Sequence, residues 1–199
     1  MDTRPNVVKI CFTAEQMKII SKYASHCELG GSSRIFPDAG ERQRFLSDNQ
    51  YIGQAATAAL DLYLNGSMDL YIQTRELADK TPWKGDGGVD LIGTNLDVKC
   101  SRMRCGLNFL YHLYIRNREF HPENCYWLAL MPEGQNDCVY LVGFCDGSYD
   151  DGTGRKILIP PDPKNPDRHS LREDKLNSPQ SFFGIGSKET ELRELFGTG

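Results

Sequence analysis

The stretch GVDLIGTNLDVKCSR, residues 88–102, decides the reading of this chain. Gly93-Thr94-Asn95 is a turn signal between two short apolar runs, 88–93 and 96–100, and the combination predicts a tight β-hairpin. Side chains alternate across a strand. In the first run Val89 and Leu91 point one way and Asp90 the other. In the second, Leu96, Val98 and Cys100 point inward, while Asp97 and Lys99 share the opposite face. The glycine-flanked approach GDGGVD lets backbone come close to a ligand. Two carboxylates and one ammonium therefore meet at one edge of an apolar hairpin. The same alternation also occurs on solvent-facing hairpins that carry no chemistry.

Such a trio is the minimum equipment for phosphodiester hydrolysis. The ester is an anion and repels hydroxide, so cleavage needs a cation and a means of orienting water. Asp90 and Asp97 are the candidate ligands for one Mg²⁺, with the Val98 carbonyl as a third and Mn²⁺ as the expected substitute. Mg²⁺ retains several waters, and one of these is the candidate nucleophile. Lys99 would position that water or stabilise the transition state. Neighbouring carboxylates favour its charged form, which makes it an electrostatic aid rather than a strong base.

Working outward, Thr13 and Gln16 have capping-box spacing ahead of a helix over 14–29, with Met17, Ile20, Ala24 and Cys27 as its apolar stripe. GGSSRIFPDAG, residues 30–40, reads as a loop. A second helix is expected over 48–64, capped by Ser47 and Gln50 and ended by Asn65-Gly66. Its Ala-rich body would lie close to a sheet and carries one polar residue, Gln54. Met68, Leu70 and Ile72 alternate with polar residues and predict a short strand, followed by a loop over 75–88. A helix is expected over 107–118. Strands over 125–131 and 138–144, joined by PEGQND, form an antiparallel hairpin. Beyond Asp146 come a polar turn region, a short strand at ILIP, a proline-rich charged stretch extended along the surface, and a final helix at ETELRELF. The order predicts one α/β domain over 1–199, with its core at about 45–145 and 146–199 as a peripheral extension.

Apolar residues make up 39% and charged residues 25%, an ordinary globular balance. No stretch reaches membrane-spanning length and the N-terminal MDTRPNVVKICF lacks a secretory core, so a cytoplasmic protein is expected. Seven cysteines, with no CxxC pair, predict buried thiols rather than a disulfide framework. His112 and His121 near Cys105 and Cys125 have irregular spacing for a metal site. The net charge of −4 is not the global signature of a nucleic-acid binder, but a nuclease needs only a local positive rim.

In this organisation the chain resembles the PD-(D/E)xK nuclease superfamily, through GDGGVDLIG and LDVK. The resemblance implies a restriction-endonuclease-like α/β sandwich with a central mixed β-sheet flanked by helices. Asp90 matches the family's first acid, and Asp97-Val98-Lys99 its D/E-x-K triplet. Gln54 is the counterpart of an acidic or glutamine position on the preceding helix, or else an ordinary polar residue at a helix–sheet edge. The resemblance implies a Mg²⁺-dependent deoxyribonuclease acting on double-stranded DNA. Homodimerisation through the 125–144 hairpin or the tail would allow both strands to be cut. The alternative is an inactive nuclease-fold module that binds DNA or protein.

Lys84, Ser101, Arg102 and Arg104 flank the motif as candidate DNA contacts, or as ordinary surface. Trp83 would stack on a base or cover the core, and Asp86 would be a further ligand or a turn cap. Arg34, Arg42 and Arg44, and separately Lys164, Arg168, His169 and Arg172, are two candidate substrate clamps.

Overall fold

The computed structural model describes residues 7–26, 38–80, 90–104, 110–150 and 156–183. Trp83, Lys84, Asp86, Arg34, Cys27, Cys105, the side chain of Arg42 and the expected C-terminal helix lie outside the described residues.

The N-terminal strand β1 (Val8–Cys11) leads into helix α1 (Ala14–His26). The capping box forms as its spacing predicts. Thr13 N–H donates to Gln16 Oε1 at 2.8 Å, and Gln16 N–H donates to Thr13 Oγ1 at 3.2 Å. Helix α2 (Ala39–Asn65) begins nine residues before the expected start at 48. Asp38, assigned to a loop by its turn-forming neighbours, is the true N-cap and accepts from Glu41 N–H. Ser47 lies inside the helix, so its capping spacing with Gln50 has no role there. The C-terminus at Gly66 is as expected, with its N–H returning to Leu62 O at 3.0 Å.

The strand expected at 68–72 is instead the start of helix α3 (Asp69–Lys80), which also takes in the front of the expected 75–88 loop. Met68 just before the helix and Tyr71 and Thr74 within it are buried, a helical interval rather than an alternation. The deciding contact is tertiary. Asp61, fully buried in α2, accepts from Tyr71 N–H at 2.8 Å and so caps α3 from a neighbouring helix.

Residues 90–95 form a turn rather than the expected strand over 88–93. Asp90 N–H donates to Leu96 O at 2.8 Å, and Gly93 at φ 74° supplies the left-handed residue the reversal needs. Strand β2 (Leu96–Met103) follows as expected. The helix expected at 107–118 is strand β3 (His112–Arg116), followed by a 3-10 turn over Asn117–Glu119. Leu113 and Ile115 are buried while His112, Tyr114 and Arg116 lie on the other face, the period-two pattern of a half-covered strand. Strands β4 (Cys125–Pro132) and β5 (Cys138–Asp146) form the expected antiparallel hairpin. The C-terminal region is not merely extended along the surface. β6 (Ser148–Asp150) pairs with β7 (Lys156–Leu158), and β8 (Pro161–Asp162) and β9 (Asn165–Arg172) join β3 in a second sheet.

The result is a mixed α/β architecture. A four-stranded sheet runs β1-β5-β4-β2, with β2 and β4 parallel and the other pairs antiparallel. The helices cover one face. Ala55, Ala56, Ala58 and Ala59 of α2 are fully buried there with Val98, Trp127, Ala129 and Leu141. Small side chains bring the helix backbone close to the strands, where burial is the dominant stabilising term. The other face is covered by the β3-β9-β8 sheet rather than by helices, around Leu113, Ile115, Tyr126, Leu128, Leu130 and Leu171. All eight residues of β4 are buried because it sits between these two cores. Among the described residues the cysteines are free thiols, and no helix is long and apolar enough to cross a membrane.

Candidate functional site

Strand β2 carries the site, and its two faces divide the labour. Leu96 and Val98 enter the helix-side core. Asp97, Lys99 and Ser101 take the other face, as alternation requires; Asp97 is buried there, Lys99 half-buried and Ser101 exposed. Asp97 is only 4% exposed.

Asp90 is fastened to the same strand from the preceding turn. Its Oδ2 accepts from Val98 N–H at 2.7 Å. Its carboxyl and that of Asp97 lie close enough to share a hydrogen bond. Burial first, and then the neighbouring Asp90, push the Asp97 carboxyl up to about 7, against the pull of Lys99. The two acids are a tight pair in a poorly solvated place, and such a pair needs a proton or a cation to settle it.

Lys99 Nζ sits 3.0 Å from Asp97 Oδ1 and 3.1 Å from Glu119 Oε2. Burial works against its charge, but Asp97, with Glu119 and Asp90 beyond, outweighs it and holds the ammonium above its usual pKa. Lys99 stays protonated through the neutral range, in keeping with an electrostatic role. Glu119 is pushed up by its own partial burial but more strongly down by Lys99, helped by Arg116 and Arg118, and ends below the ordinary glutamate value.

Glu119 and Arg75 are the members of this cluster that sequence reasoning missed. Glu119 reaches Lys99 because the Tyr126 hydroxyl donates to its backbone carbonyl at 3.1 Å and holds the 3-10 turn in place. Arg75 of α3 donates to the Asp90 backbone carbonyl at 3.0 Å, with its guanidinium 3.9 Å from the Asp90 carboxylate. Neither has a local signal, since each comes from an element whose type was misjudged. The acidic pair and the ammonium were legible because all three belong to one turn and one strand.

The remaining candidates divide. Gln54 is buried on α2, where its Oε1 accepts from the Tyr71 hydroxyl at 3.0 Å. Arg102 uses all five of its N–H donors within the fold. They go to Asp48, the Pro132 and Gln135 carbonyls, and Asn136 Oδ1. That makes it a clamp between α2 and the β4–β5 turn. Arg104 is exposed beyond the end of β2, and Arg44 is exposed on α2. Lys164 is exposed, His169 contacts the Ile159 carbonyl and stacks on Phe120, and Arg172 pairs with Asp174.

Ser101 and Arg168, from the two ends of the chain's candidate set, come together. They line a cleft of about 370 Å³ with Lys99, His112, Tyr114, Arg116 and Glu119. The cleft runs between β2 and the outer face of β3, and Lys99 belongs to both the cleft and the acidic pair.

Two carboxylates suit a hard cation that keeps most of its own water, as Mg²⁺ does. Among the described residues no group of three or more His, Cys, Asp and Glu side chains converges as a ready metal cage. No family model, curated protein or solved structure matches the chain.

Proposed function

We propose that the protein is a metal-dependent DNA endonuclease of the PD-(D/E)xK kind, with a restriction-endonuclease-like core. One observation carries this reading. Asp90 and Asp97 come from one turn and the strand it leads into, Asp90 is fastened to Val98 N–H at 2.7 Å, and the Lys99 ammonium lies 3.0 Å from Asp97. The raised Asp97 supports a cation-binding role, because a desolvated acid pair gains most from a divalent ion.

Asp90 and Asp97 would hold the ion, with Val98 offering its carbonyl as the candidate third ligand. When bound, Mg²⁺ or Mn²⁺ supplies an activated water and neutralises charge on the phosphoryl oxygens. Lys99 stays charged and contributes a fixed positive potential where negative charge builds up. Glu119 fixes the direction of that ammonium. Holding the ion would require Asp97 in its carboxylate form, so both acids would act as anions.

The test is cleavage of plasmid, linear and branched DNA in Mg²⁺ or Mn²⁺, with Asp97→Asn and Lys99→Ala alongside. The reading expects metal-dependent cutting by the wild type and its loss in both variants, each checked for folding by circular dichroism. Cutting that persists in both variants would remove these residues from the mechanism. A wild type that binds DNA without cutting it would favour the inactive module.

A further inference from the structure

The outer face of the β3–β9 sheet has a composition unlike the rest of this acidic chain. In the antiparallel register His112 lies opposite Arg172, Tyr114 opposite Ser170, and Arg116 opposite Arg168. Residues opposite each other point to the same side. One face therefore carries three arginines, a histidine, a tyrosine and a serine, and each arginine meets a carboxylate from beside the face: Arg116 meets Glu119, Arg168 meets Asp162 at 2.6 Å, and Arg172 meets Asp174. The face is thus a cluster of guanidinium groups rather than a net positive field. Four of its residues, His112, Tyr114, Arg116 and Arg168, line the cleft together with Lys99.

The patch also has planar groups in sequence. The Arg168 guanidinium lies 3.9 Å from the centre of the Tyr114 ring. The Tyr114 and His112 rings are nearly parallel, 11° apart, with centres 5.6 Å from each other. Tyr114 is 40% exposed, which leaves ring surface open to a ligand. Arg116 is held only at 3.4 Å by Glu119 and is 63% exposed, so its guanidinium can turn to a phosphate.

We propose that this cleft receives an unpaired nucleotide of a single-stranded segment, with its base on the Arg168–Tyr114–His112 wall and its phosphate on Arg116. The proposal rests on the nuclease reading and narrows its substrate. In a duplex each base has its faces covered by neighbouring pairs, so an exposed aromatic wall has nothing to stack on. Unpaired bases stack on aromatic rings and on guanidinium planes. The cleft volume, about 370 Å³, falls among sites that enclose one small molecule. Lys99 lines the cleft and pairs with Asp97, so it joins the cleft to the acidic residues.

Fluorescence anisotropy of a labelled oligo-dT strand and a labelled blunt hairpin duplex tests this, in Ca²⁺ so that binding is read without turnover. The single strand should bind more tightly than the duplex. Tyr114→Ala should weaken single-strand binding by roughly tenfold, with Tyr114→Trp restoring it. Arg116→Ala should reduce the salt slope of single-strand binding by about 0.7, the effect of one lost phosphate contact. Equal affinity for the two probes, or a Tyr114→Ala protein that is folded and binds as wild type does, would overturn the proposal. Mg²⁺-dependent cleavage of the same probes separates this outcome from the parent reading. Cleavage without strand preference removes the nucleotide pocket and keeps the nuclease. Single-strand binding without cleavage does the reverse.

Discussion

Asp97→Asn should change how stability depends on pH in the metal-free protein. The wild-type carboxyl titrates at about 7 in the fold, against an ordinary value of 3.8. Between those limits the folded state holds a proton that the unfolded state has released. Stability from this group is therefore fully present at low pH and is lost as pH rises towards the folded value. Each pH unit is worth about 1.4 kcal/mol and the carboxyl is half ionised at its folded value, so the wild type should lose about 2 kcal/mol between roughly pH 5 and pH 7. Glu119 shifts in the opposite direction, so its contribution is lost only on going down through its own lowered value and leaves this window clear. Lys99 is charged throughout. Asp61 is also raised, by burial, but it is present in both proteins and cancels in the comparison.

Asparagine cannot titrate, so the stability gap between variant and wild type should move by about 2 kcal/mol in the variant's favour over that window. The assay is urea unfolding of both proteins in a chelator at several pH values, at matched ionic strength. Adding Mg²⁺ should then restore stability to the wild type near neutral pH and leave the variant little changed, because a ligand that binds only the folded state stabilises it. A gap that stays constant with pH would refute the reasoning. It would mean that Asp97 titrates normally and that the acid pair is neither desolvated nor in contact.

Three further outcomes follow from particular contacts. Glu119→Gln should lower kcat by about tenfold, the equivalent of one weakened charge-assisted hydrogen bond to Lys99, in single-turnover cleavage. Arg102→Ala should cost about 2–3 kcal/mol in urea unfolding, because Asp48 and three further acceptors lose their shared donor. Gly143→Ala should destabilise by about 1–3 kcal/mol, since a Cβ there would lie 2.7 Å from the Asn177 carbonyl and 2.8 Å from Leu176 Cβ. Unchanged unfolding midpoints would count against each structural claim.

What the sequence determined by itself lies in elements whose cause is local. The Thr13–Gln16 box makes α1 because donor and acceptor are three residues apart. β4 and β5 pair across a short turn, and Asp97 and Lys99 share a face because alternation is built into an extended chain. What only the tertiary structure decided depends on partners far along the chain. α3 is helical with Asp61 capping it from another helix, and β3 is a strand because β9, some fifty residues on, completes it. The same distant pairing covers Asp97, carries Glu119 to Lys99 and brings Arg168 into the cleft. A local pattern can state which side a charged group takes. How far that group is removed from water, and what charge stands opposite, is set by surfaces that meet only when the chain closes on itself.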